Sequence, residues 1–416
     1  MPRLHFLLSI FCVAAAYSAD IYVDPVLGDE HNNGLVSKAK GADGPVKTIA
    51  RGIKMAQPGD TVHLVPVVFK ESAVFNNRAG EPGKPITLDG HGATLDGSED
   101  LHPDDWPEVA PGLFRNDHLL RLDDAVIQRW FFLWDGKMNH MGRSSKGLRP
   151  DFKKPEDLQP GEWTFIKDDS RKQPNSANIF GAFYVKLPPG QKLADAHIAA
   201  PIRSAGVQMS GTNKWLVMRN LIATHVYNDG YNIHGSSRDC VFENIRAFEC
   251  GDDGISAHDD CQFRVDGLIS MGNSTGIADT GDSITEYNHV FIRDCLGIDL
   301  LFFGTNRHVI KNGVVLSSAH TVASLSGVEG NPTGTCTLKL DNVFIRRETA
   351  PAEARIGKGG KLDAEHVTFL GCHLLAADGE VILHDTIFGL APDKNGLWPA
   401  ARGAKAATLL KELTPH

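Results

Sequence analysis

The chain contains the pattern Asp-Gly-x-x-x-His twice. The first copy runs from Asp229 to His234 and the second from Asp253 to His258, an interval of 24 residues. Carboxylates and imidazoles are the side chains that most often donate and accept protons in catalysis. If the copies occupy equivalent places in a repeated unit, their side chains stack one strand spacing apart, about 4.8 Å. The pattern therefore predicts a cluster of acid–base groups on one surface of the molecule.

More acids surround the second copy, since Asp252 precedes it and the pair Asp259-Asp260 follows it. Carboxylates stacked this closely cannot all ionise at low cost, so either some hold protons at neutral pH or a cation lies among them. A protonated Asp can act as a general acid, an ionised neighbour as a base, and Asp oxygens as calcium ligands. The catalytic candidates are Asp229, Asp252, Asp253, His234 and His258, and the candidate calcium ligands are Asp259, Asp260 and Asp282.

Side chains near the pattern could also hold a substrate. Because side chains alternate along a strand, an inward Ile255 places Ser256 and His258 outward. The same argument turns Asn232 and His234 outward in the first copy. The substrate-binding candidates are Asn228, Tyr231, Asn232, Arg238 and Arg264. The alternative is that the Asp and Gly residues only form turns at the corners of a repeated unit, with solvated His beside them.

The repeated unit that would position these groups is visible along the chain. A short polar or small residue followed by an aliphatic one recurs at a mean interval near 24 residues, in Asn220-Leu221, Asn244-Ile245, Gly267-Leu268, Cys295-Leu296, Gly313-Val314, Asn342-Val343 and His366-Val367. Short alternating segments bounded by Gly, Asn or Asp predict strands, and a repeat of this length predicts a solenoid. Asn220 and Asn244 are expected to form a side-chain ladder. The predicted fold class is all-β, a parallel β-helix.

The two ends and one interruption differ from the repeats. Residues 47–57 have apolar positions at helical spacing between Pro45 and Pro58, which predicts an amphipathic helix that covers the first coil. Residues 139–200 break the rhythm, and the segments 163–166 and 180–187 are typical of the antiparallel strands of a hairpin. The predicted organisation is a signal peptide at 1–19, an N-terminal cap and first coils at 20–138, an inserted hairpin-bearing region at 139–200, the main β-helix at 201–392 and a C-terminal tail or helix at 393–416.

The N-terminus indicates the compartment. An apolar run from Leu4 to Ala16 follows Arg3 and ends in small residues, which is typical of a secretory signal peptide, so we expect a secreted or periplasmic protein. No later segment has the roughly 18 consecutive apolar residues of a membrane-spanning helix, and membrane insertion is not expected. A formal net charge of −9 at pH 7 gives no attraction to nucleic acid. The cysteines after residue 19 match no zinc template, and buried thiols and disulfides are both open.

Three segments early in the chain carry a resemblance to a known family. They are Pro45-Val46-Lys47-Thr48-Ile49, the run from Gln57 to Leu64 (QPGDTVHL) and the run from Gly83 to Gly90 (GKPITLDG). They resemble the opening coils of secreted right-handed parallel β-helix proteins, the pectate-lyase-like superfamily. With the repeats, the resemblance covers residues 20–130 and 200–390. It implies a right-handed solenoid.

Two further resemblances meet at the candidate site. Asn228-Asp229-Gly230, followed by Gly251-Asp252-Asp253, is similar to motifs of polygalacturonase-type β-helix glycoside hydrolases. That resemblance implies inverting hydrolysis carried by the three Asp residues. Ser256-Ala257-His258-Asp259 is similar to a signature of β-helix mannuronan epimerases. This implies removal of the proton α to a uronate carboxylate, the first step of both lysis and epimerisation, for which a neutral His258 or His234 could be the base.

Together these features predict an exported carbohydrate-active β-helix enzyme, a polysaccharide lyase or a glycoside hydrolase, that acts on an acidic polysaccharide. Proton abstraction by an imidazole and Asp-assisted hydrolysis both remain open. Calcium is the one candidate cofactor, and we expect a monomer. The alternative is a non-catalytic β-helix that binds a glycan or a cell-surface partner, because the fold alone does not decide the activity.

Overall fold

A computed structural model describes residues 18–41, 43–119, 123–328 and 334–389 of the chain. Successive coils pair strand on strand in parallel. Ile255 pairs with Tyr231 of the preceding coil and with Ile277 of the following one, so the chain advances 24 residues over the first step and 22 over the second. The predicted all-β parallel β-helix is confirmed, and the interval between the two Asp-Gly patterns is the length of one coil.

Two parallel sheets form the walls of the solenoid. The first, here called the long sheet, contains Asp20–Val23, Thr61–Leu64, Ile86–Asp96, Leu216–Thr224, Cys240–Phe248, Gln262–Met271, Ile284–Arg293, Asn306–Ser317, Cys336–Arg347, Gly360–Glu365 and Glu380–His384, with Val68–Phe69, Thr368–Leu370 and Ile387–Gly389 paired alongside. The second, here called the short sheet, contains Ala73–Asn76, Val207–Ser210, Tyr231–Ile233, Asp253–Ala257, Thr275–Gly281, Ile298–Gly304, Thr321–Ser326, Ala352–Ile356 and Cys372–Ala376. A further parallel pair is Thr212–Lys214 with Ser236–Arg238.

Stacked rows of apolar side chains fill the interior of the solenoid. Strand side chains alternate between the two faces of a sheet, and in the strand Leu216–Thr224 the inward residues Leu216, Met218, Leu221 and Ala223 are all buried. One row of the core consists of Leu88, Met218, Phe242, Val265, Tyr287, Ile310 and Leu340. Because each coil adds the same buried face to its neighbour, the core is continuous along the solenoid.

The long strands bend at residues in the left-handed backbone conformation. Asn220 and Asn244 occupy two of these corners, with φ of 56° and 49°, and the Asn244 Nδ2 donates to the Asn220 Oδ1 at 2.9 Å. The predicted ladder is confirmed. A second ladder joins Asn342 to Asn312 at 2.7 Å. Asn suits these corners because its short polar side chain tolerates positive φ and can bond to its neighbour on the next coil.

Two repeat positions read from the sequence are wrong. The corners of those coils lie at His289 (φ 54°) and Asn312 (φ 52°), and not at Cys295 and Gly313. Pairs of a small or polar residue with an aliphatic one are frequent in this sequence. The corner is decided by strand register and backbone conformation, which such pairs do not specify.

A helix covers the first coil, as the sequence predicts. It spans Ile49–Met55, and the Thr48 hydroxyl caps it by accepting the Arg51 backbone N–H at 3.2 Å. Its residues Ile49 and Ile53 are buried in the core of the solenoid. The other helical segments are Asp124–Gln128 and the 3-10 turns Pro103–Asp105, Pro155–Asp157, Asp169–Arg171 and Leu193–Asp195.

The inserted region begins earlier than the predicted boundary at residue 139. Ser98–Asp100 pairs antiparallel with Ile198–Pro201, and Leu113–Asn116 pairs antiparallel with Gly181–Lys186. Strands from residue 98 onward therefore belong with the insertion. Alternating segments have the same appearance in a coil and in an antiparallel sheet, which is why the sequence misplaces this boundary. The remaining strands here are Glu108–Ala110, Phe132–Trp134, Lys137–Asn139 and Trp163–Lys167.

The insertion has its own core. Trp130, Phe132, Trp163 and Phe183 are all buried in it. The predicted hairpin is confirmed, because Trp163–Lys167 pairs antiparallel with Gly181–Lys186. Trp130 and Phe132 thus pack inside the insertion, although the predicted first coils extend to residue 138.

Several expectations concern the chain ends and the cysteines. Most of the predicted signal peptide and the whole of the predicted tail at 393–416 lie outside the described residues. Within the described ranges, no helix is both long and apolar enough to cross a membrane. The cysteines within the described residues are buried free thiols and not disulfides. They are Cys240, Cys250, Cys261, Cys295, Cys336 and Cys372.

Candidate active site

The two copies of the Asp-Gly pattern lie on adjacent coils of the short sheet. Asp253 opens the strand Asp253–Ala257, and its backbone N–H donates to the Asp229 Oδ1 of the preceding coil at 3.1 Å. The Ser256 hydroxyl donates to the other oxygen of Asp229 at 2.8 Å. Asp229, Asp252 and Asp253 each present an oxygen within 4.8 Å of the others. The fold thus brings three acids together, as expected from the 24-residue interval.

Close packing between neighbouring coils explains why glycine follows the aspartate in both copies of the pattern. A Cβ on Gly230 would lie 2.7 Å from the carbonyl oxygen of Gly254, and a Cβ on Gly254 would lie 2.7 Å from that of Gly276. Only glycine allows the coils to approach this closely. The repetition of Asp-Gly is therefore explained in part by packing, whereas the surplus of acids is not.

Two cations from the inserted region reach the acids. The Lys146 Nζ lies 2.5 Å from an oxygen of Asp252 and 2.5 Å from an oxygen of Asp253. The Arg129 Nη1 lies 3.3 Å from the second oxygen of Asp252. The Ser145 hydroxyl also donates to Asp252. Charge-assisted contacts of this kind are stronger than neutral hydrogen bonds, so they fix this part of the insertion on the solenoid.

The cluster is nearly closed to solvent. Asp229 is 2% and Asp253 4% exposed. The Asp252 side chain is 13% and the Lys146 side chain 24% exposed. Lys146 is therefore the most accessible of these four charged groups, and it covers the two acids beneath it.

This environment separates the pKa values of the three acids. Burial, with the charge of Asp252 second, raises the pKa of Asp229 to about 6. Burial and the same neighbour also raise the pKa of Asp253 well above its usual value, although Lys146 opposes them. Burial acts on the pKa of Asp252 in the same direction, but Lys146 and Arg129 together outweigh it and hold that pKa below its usual value. In mildly acidic solution one carboxylate is thus ionised beside neighbours that hold protons.

A pair of imidazoles lies at the other end of the same strands. The rings of His234 and His258 stack with centroids 4.1 Å apart and planes 6° from parallel. The His258 Nδ1 lies 3.0 Å from the Thr280 hydroxyl, and the His234 Nδ1 lies 3.6 Å from an oxygen of Asp259. Burial lowers the pKa of both imidazoles, and the proximity of His258 adds to the effect on His234. Both rings are therefore neutral at pH 7. Among the described residues, no hydrogen bond connects them to the three acids.

Two substrate-binding candidates share the coil of the first pattern. The Asn228 Oδ1 accepts a hydrogen bond from Arg129, so Asn228 orients a cation of the cluster. Asn232 donates to Gln208 at 3.3 Å, whereas its own Oδ1 is buried without a hydrogen-bond partner within the described residues. Because that oxygen is buried, a ligand could reach it only if the residues around it moved.

The other three substrate-binding candidates lie elsewhere. Tyr231 is fully buried in the core of the solenoid and donates to the Leu221 carbonyl at 2.9 Å, so its side chain is not accessible to a substrate and this candidate is wrong. Arg238 pairs with Asp260 at 2.6 Å. Arg264 is exposed on the long sheet and not on the short sheet that carries the acids. Alternation predicts which residues share a face, but it does not predict which wall of the solenoid that face belongs to.

The candidate calcium ligands do not converge on one point. The Asp259 Oδ2 accepts the Gly235 backbone N–H at 2.8 Å, Asp260 is paired with Arg238, and Asp282 is exposed. In the described part of the chain, the acid cluster whose ligand atoms approach closely enough for one ion is the one that Lys146 covers. Among the described residues, Asp259, Asp260 and Asp282 are not one of the groups whose ligand atoms lie within 4.8 Å of one another, so calcium binding by these three stays a prediction that this arrangement does not favour.

No motif or repeat in the sequence marks Arg129, Ser145 or Lys146 as part of the site. Lys146 lies 106 residues before Asp252, and no repeat or motif relates the two positions. The one signal that could have found it is the concentration of basic residues from Arg143 to Arg149 (RSSKGLR). Its path over the solenoid depends on the tertiary structure of the insertion.

Comparison with known proteins gives structural likenesses only. No family model matches the chain, and no curated protein matches its sequence. The chain is similar to the structure of XylC with xylose, at 11% identity and a TM-score of 0.47, covering 89% of this chain and 74% of that one. It is similar to a glycoside hydrolase at 8% identity and a TM-score of 0.44, covering 90% of this chain and 96% of that one. It is also similar to a rhamnogalacturonan lyase at 11% identity and a TM-score of 0.31, covering 95% of this chain and 98% of that one. At these values the chemistry has to be argued from the residues of this chain.

Proposed function

We propose that this chain is an exported carbohydrate-active enzyme that hydrolyses an acidic polysaccharide at the cluster of Asp229, Asp252 and Asp253. The observation that carries the proposal is the convergence of three acids whose oxygens lie within 4.8 Å of one another, next to Lys146 and Arg129. Burial and these two cations move the pKa values of the acids apart. Glycoside hydrolysis needs a protonated carboxyl group beside an ionised one. Asp253 is the proton donor to the leaving oxygen, and Asp252 is the ionised carboxylate that assists attack at the sugar carbon.

The charge of the cluster supports an anionic substrate. When Asp229 and Asp253 hold protons, the remaining charges are one carboxylate, Asp252, and two cations, Lys146 and Arg129. The cluster then has a net positive charge and attracts an anionic sugar more strongly than a neutral one. A uronate carboxylate would provide that charge.

Lys146 has to move for this chemistry. The acid oxygens lie within 4.8 Å of one another, nearer to the roughly 5–5.5 Å between the carboxyl groups of retaining enzymes than to the roughly 6.5–9.5 Å of inverting ones, so the spacing favours retention. The Lys146 ammonium occupies the approach to Asp253. We propose that the carboxylate of the substrate draws this ammonium away and so opens the space that the sugar and a water need.

A second reaction is supported by the pair of His234 and His258. A neutral imidazole at pH 7 can accept the proton α to a uronate carboxylate. β-Elimination and epimerisation both begin with that step. Thr280 bonds to the His258 Nδ1, which leaves the Nε2 as the atom that would take the proton.

A screen of acidic polysaccharides separates these activities by their products. We expect release of reducing ends without new ultraviolet absorbance, as hydrolysis requires. An unsaturated product that absorbs in the ultraviolet would favour elimination, and a change of sugar stereochemistry without cleavage would favour epimerisation. Binding without turnover on every polymer would identify a non-catalytic module and refute the proposal.

Two substitutions then test the assignment of the acids. Asp253→Asn should lower the rate of reducing-end release by about 100-fold or more, because a positioned general acid contributes that much. The matched control is Asp294→Asn, which changes an exposed acid beside Arg293 at a corner with φ of 54° that Asn also tolerates. Full activity of Asp253→Asn would refute the assignment. Loss of activity in His258→Gln, with Asp253→Asn active, would favour the imidazole mechanism.

A further inference from the structure

Two histidines converge on the outer face of the first coils, on the long sheet. His63 lies on the strand Thr61–Leu64, in register with Asp89 on the strand Ile86–Asp96. His91 follows two residues after Asp89 at a corner with φ of 51°, which turns its ring back toward His63. The His63 Nδ1 and the His91 Nε2 are 2.9 Å apart.

The two rings lie edge to edge. Their planes are 18° from parallel and their centroids are 5.2 Å apart, so the short distance between the nitrogens lies along the line that joins the rings. Tyr22 lies on the other side of His63, with centroids 5.3 Å apart. The two facing nitrogens therefore meet at one accessible position, since the side chain of His91 is 46% exposed.

A carboxylate lies at the far nitrogen of each imidazole. The His63 Nε2 lies 2.8 Å from the Asp20 Oδ1, which places the proton of a neutral ring on Nε2 and leaves the Nδ1 lone pair facing His91. The His91 Nδ1 lies 3.6 Å from the Asp89 Oδ1. Imidazoles that bind metals are commonly oriented by such a carboxylate at the second nitrogen.

We propose that His63 and His91 bind a divalent transition-metal ion, of which zinc is the probe to use first. The His63 Nδ1 and the His91 Nε2 provide two ligands, and Asp89 lies at the Nδ1 of His91, where it orients that ring. The three residues form one group whose possible ligand atoms lie within 4.8 Å of one another. Two nitrogen ligands favour zinc, copper or nickel over calcium or magnesium.

Small movements complete the site. Zinc–nitrogen distances are about 2.0–2.1 Å, so two nitrogens on one tetrahedral ion lie roughly 3.3 Å apart. The imidazoles must therefore separate by a few tenths of an ångström, and each ring must tilt by roughly 35° so that its lone pair points at the ion instead of at the other nitrogen. The half-exposed His91 can make that adjustment. Asp89 is held in place by Arg219 at 2.7 Å and Asn220 at 2.9 Å, and water would complete the coordination.

This site is independent of the proposed catalytic acids, because it lies on the long sheet at the first coils. A bound ion would link the strands Thr61–Leu64 and Ile86–Asp96 and, through Asp20, the strand Asp20–Val23. Ligand binding to the folded state alone stabilises it. The metal should therefore protect the N-terminal end of the solenoid against unfolding.

The test uses the full chain after removal of metals with a chelator. We expect saturable binding of one zinc ion by calorimetry at this site, a higher Tm with zinc, and visible absorption from nitrogen-bound cobalt when cobalt replaces zinc. His63→Gln and His91→Gln should each abolish these effects. Asp20→Asn should weaken the affinity about 10–100-fold, because it removes the group that orients His63.

His289→Gln is the matched control, since His289 is an exposed imidazole beside Asp266 at 2.8 Å on the same sheet. It should leave zinc affinity and Tm unchanged. Absence of saturable binding by the wild-type chain would overturn the proposal, and so would unchanged affinity in His91→Gln. If His63→Gln fails to fold, the exposed His91 variant decides the question alone.

Discussion

The Lys146 Nζ lies 2.5 Å from the Asp253 Oδ1, although 107 residues separate the two along the chain. One residue belongs to the inserted region and the other opens a strand of the solenoid. The contact therefore has two consequences. It affects the proton affinity of Asp253, and it fastens the insertion to the coil that carries the acids.

Replacing Lys146 by methionine should loosen the inserted region from the coil that carries the acids and destabilise the protein. Methionine keeps most of the side-chain length but leaves Asp252 and Asp253 buried without their shared cation. Removing one partner of a buried ion pair costs about 3–5 kcal/mol, and we expect a loss near the lower value because Arg129 remains beside Asp252. Urea unfolding at pH 7 measures the difference.

Lys311→Met is the control for the loss of a lysine. Lys311 pairs with Glu286 at 2.7 Å, but both side chains are more than 40% exposed. An exposed pair of this kind contributes under about 1 kcal/mol. Equal effects of the two substitutions would show that the contacts of Lys146 with the acids contribute little.

The raised pKa of Asp229 predicts a decrease of stability with pH. The carboxyl group titrates near 3.8 when unfolded and at about 6 in the folded protein. Between those values the folded state holds a proton that the unfolded state has lost, so the free energy of unfolding falls as pH rises, by about 1.4 kcal/mol per pH unit. Below this window and above it, the contribution of Asp229 is constant.

Asp229→Asn should make that decrease smaller. Asparagine cannot ionise, and its amide can still bond to Ser256 and to the Asp253 N–H. Urea unfolding of both proteins between pH 4 and pH 7 gives the comparison. Wild-type and variant curves that run parallel throughout the window would contradict the assignment of the raised pKa to Asp229.

Much of the fold is predictable from the sequence because its signals are local and repeated. The alternation around Met218 and Phe242, and the Asn at corners 220 and 244, recur with each coil, so every repeat confirms the others. The stacking of Asp229 on Asp253 follows from the same period. These features need no knowledge of long-range packing.

The rest of the site depends on contacts between distant segments. Lys146 reaches Asp252 only because the insertion folds onto the solenoid, and no period relates the two residues. Nearness to the pattern in sequence predicts that Tyr231 and Arg264 belong to the site, but Tyr231 lies in the core and Arg264 lies on another wall of the solenoid. Whether a side chain lies in the core or on an outer wall depends on the residue at which each strand bends, and the amino-acid composition does not specify that residue.

The buried cysteines predict slow thiol chemistry in the folded protein. Burial raises the pKa of Cys240 to about 12 and that of Cys261 to about 11, so the reactive thiolate is scarce at pH 8. We expect a thiol reagent such as dithionitrobenzoate to modify these cysteines only after denaturation. Rapid reaction of the folded protein would contradict their burial, and absence of reaction in denaturant would indicate a disulfide.

The Asn ladder predicts different effects for two substitutions at one corner. Asn244 has φ of 49° and donates to the Asn220 Oδ1 at 2.9 Å. Asn244→Ala loses this hydrogen bond, which contributes about 1 kcal/mol to stability. It also places alanine, which has a Cβ but no polar side chain, in the left-handed backbone region, at a cost of about 1 kcal/mol more. Asn244→Gly loses the bond alone, and glycine is accepted at the next corner, where Gly267 has φ of 84°. Urea unfolding should therefore rank the variants with Ala about 1 kcal/mol below Gly, whereas equal stabilities would mean that the left-handed backbone at this corner carries no cost.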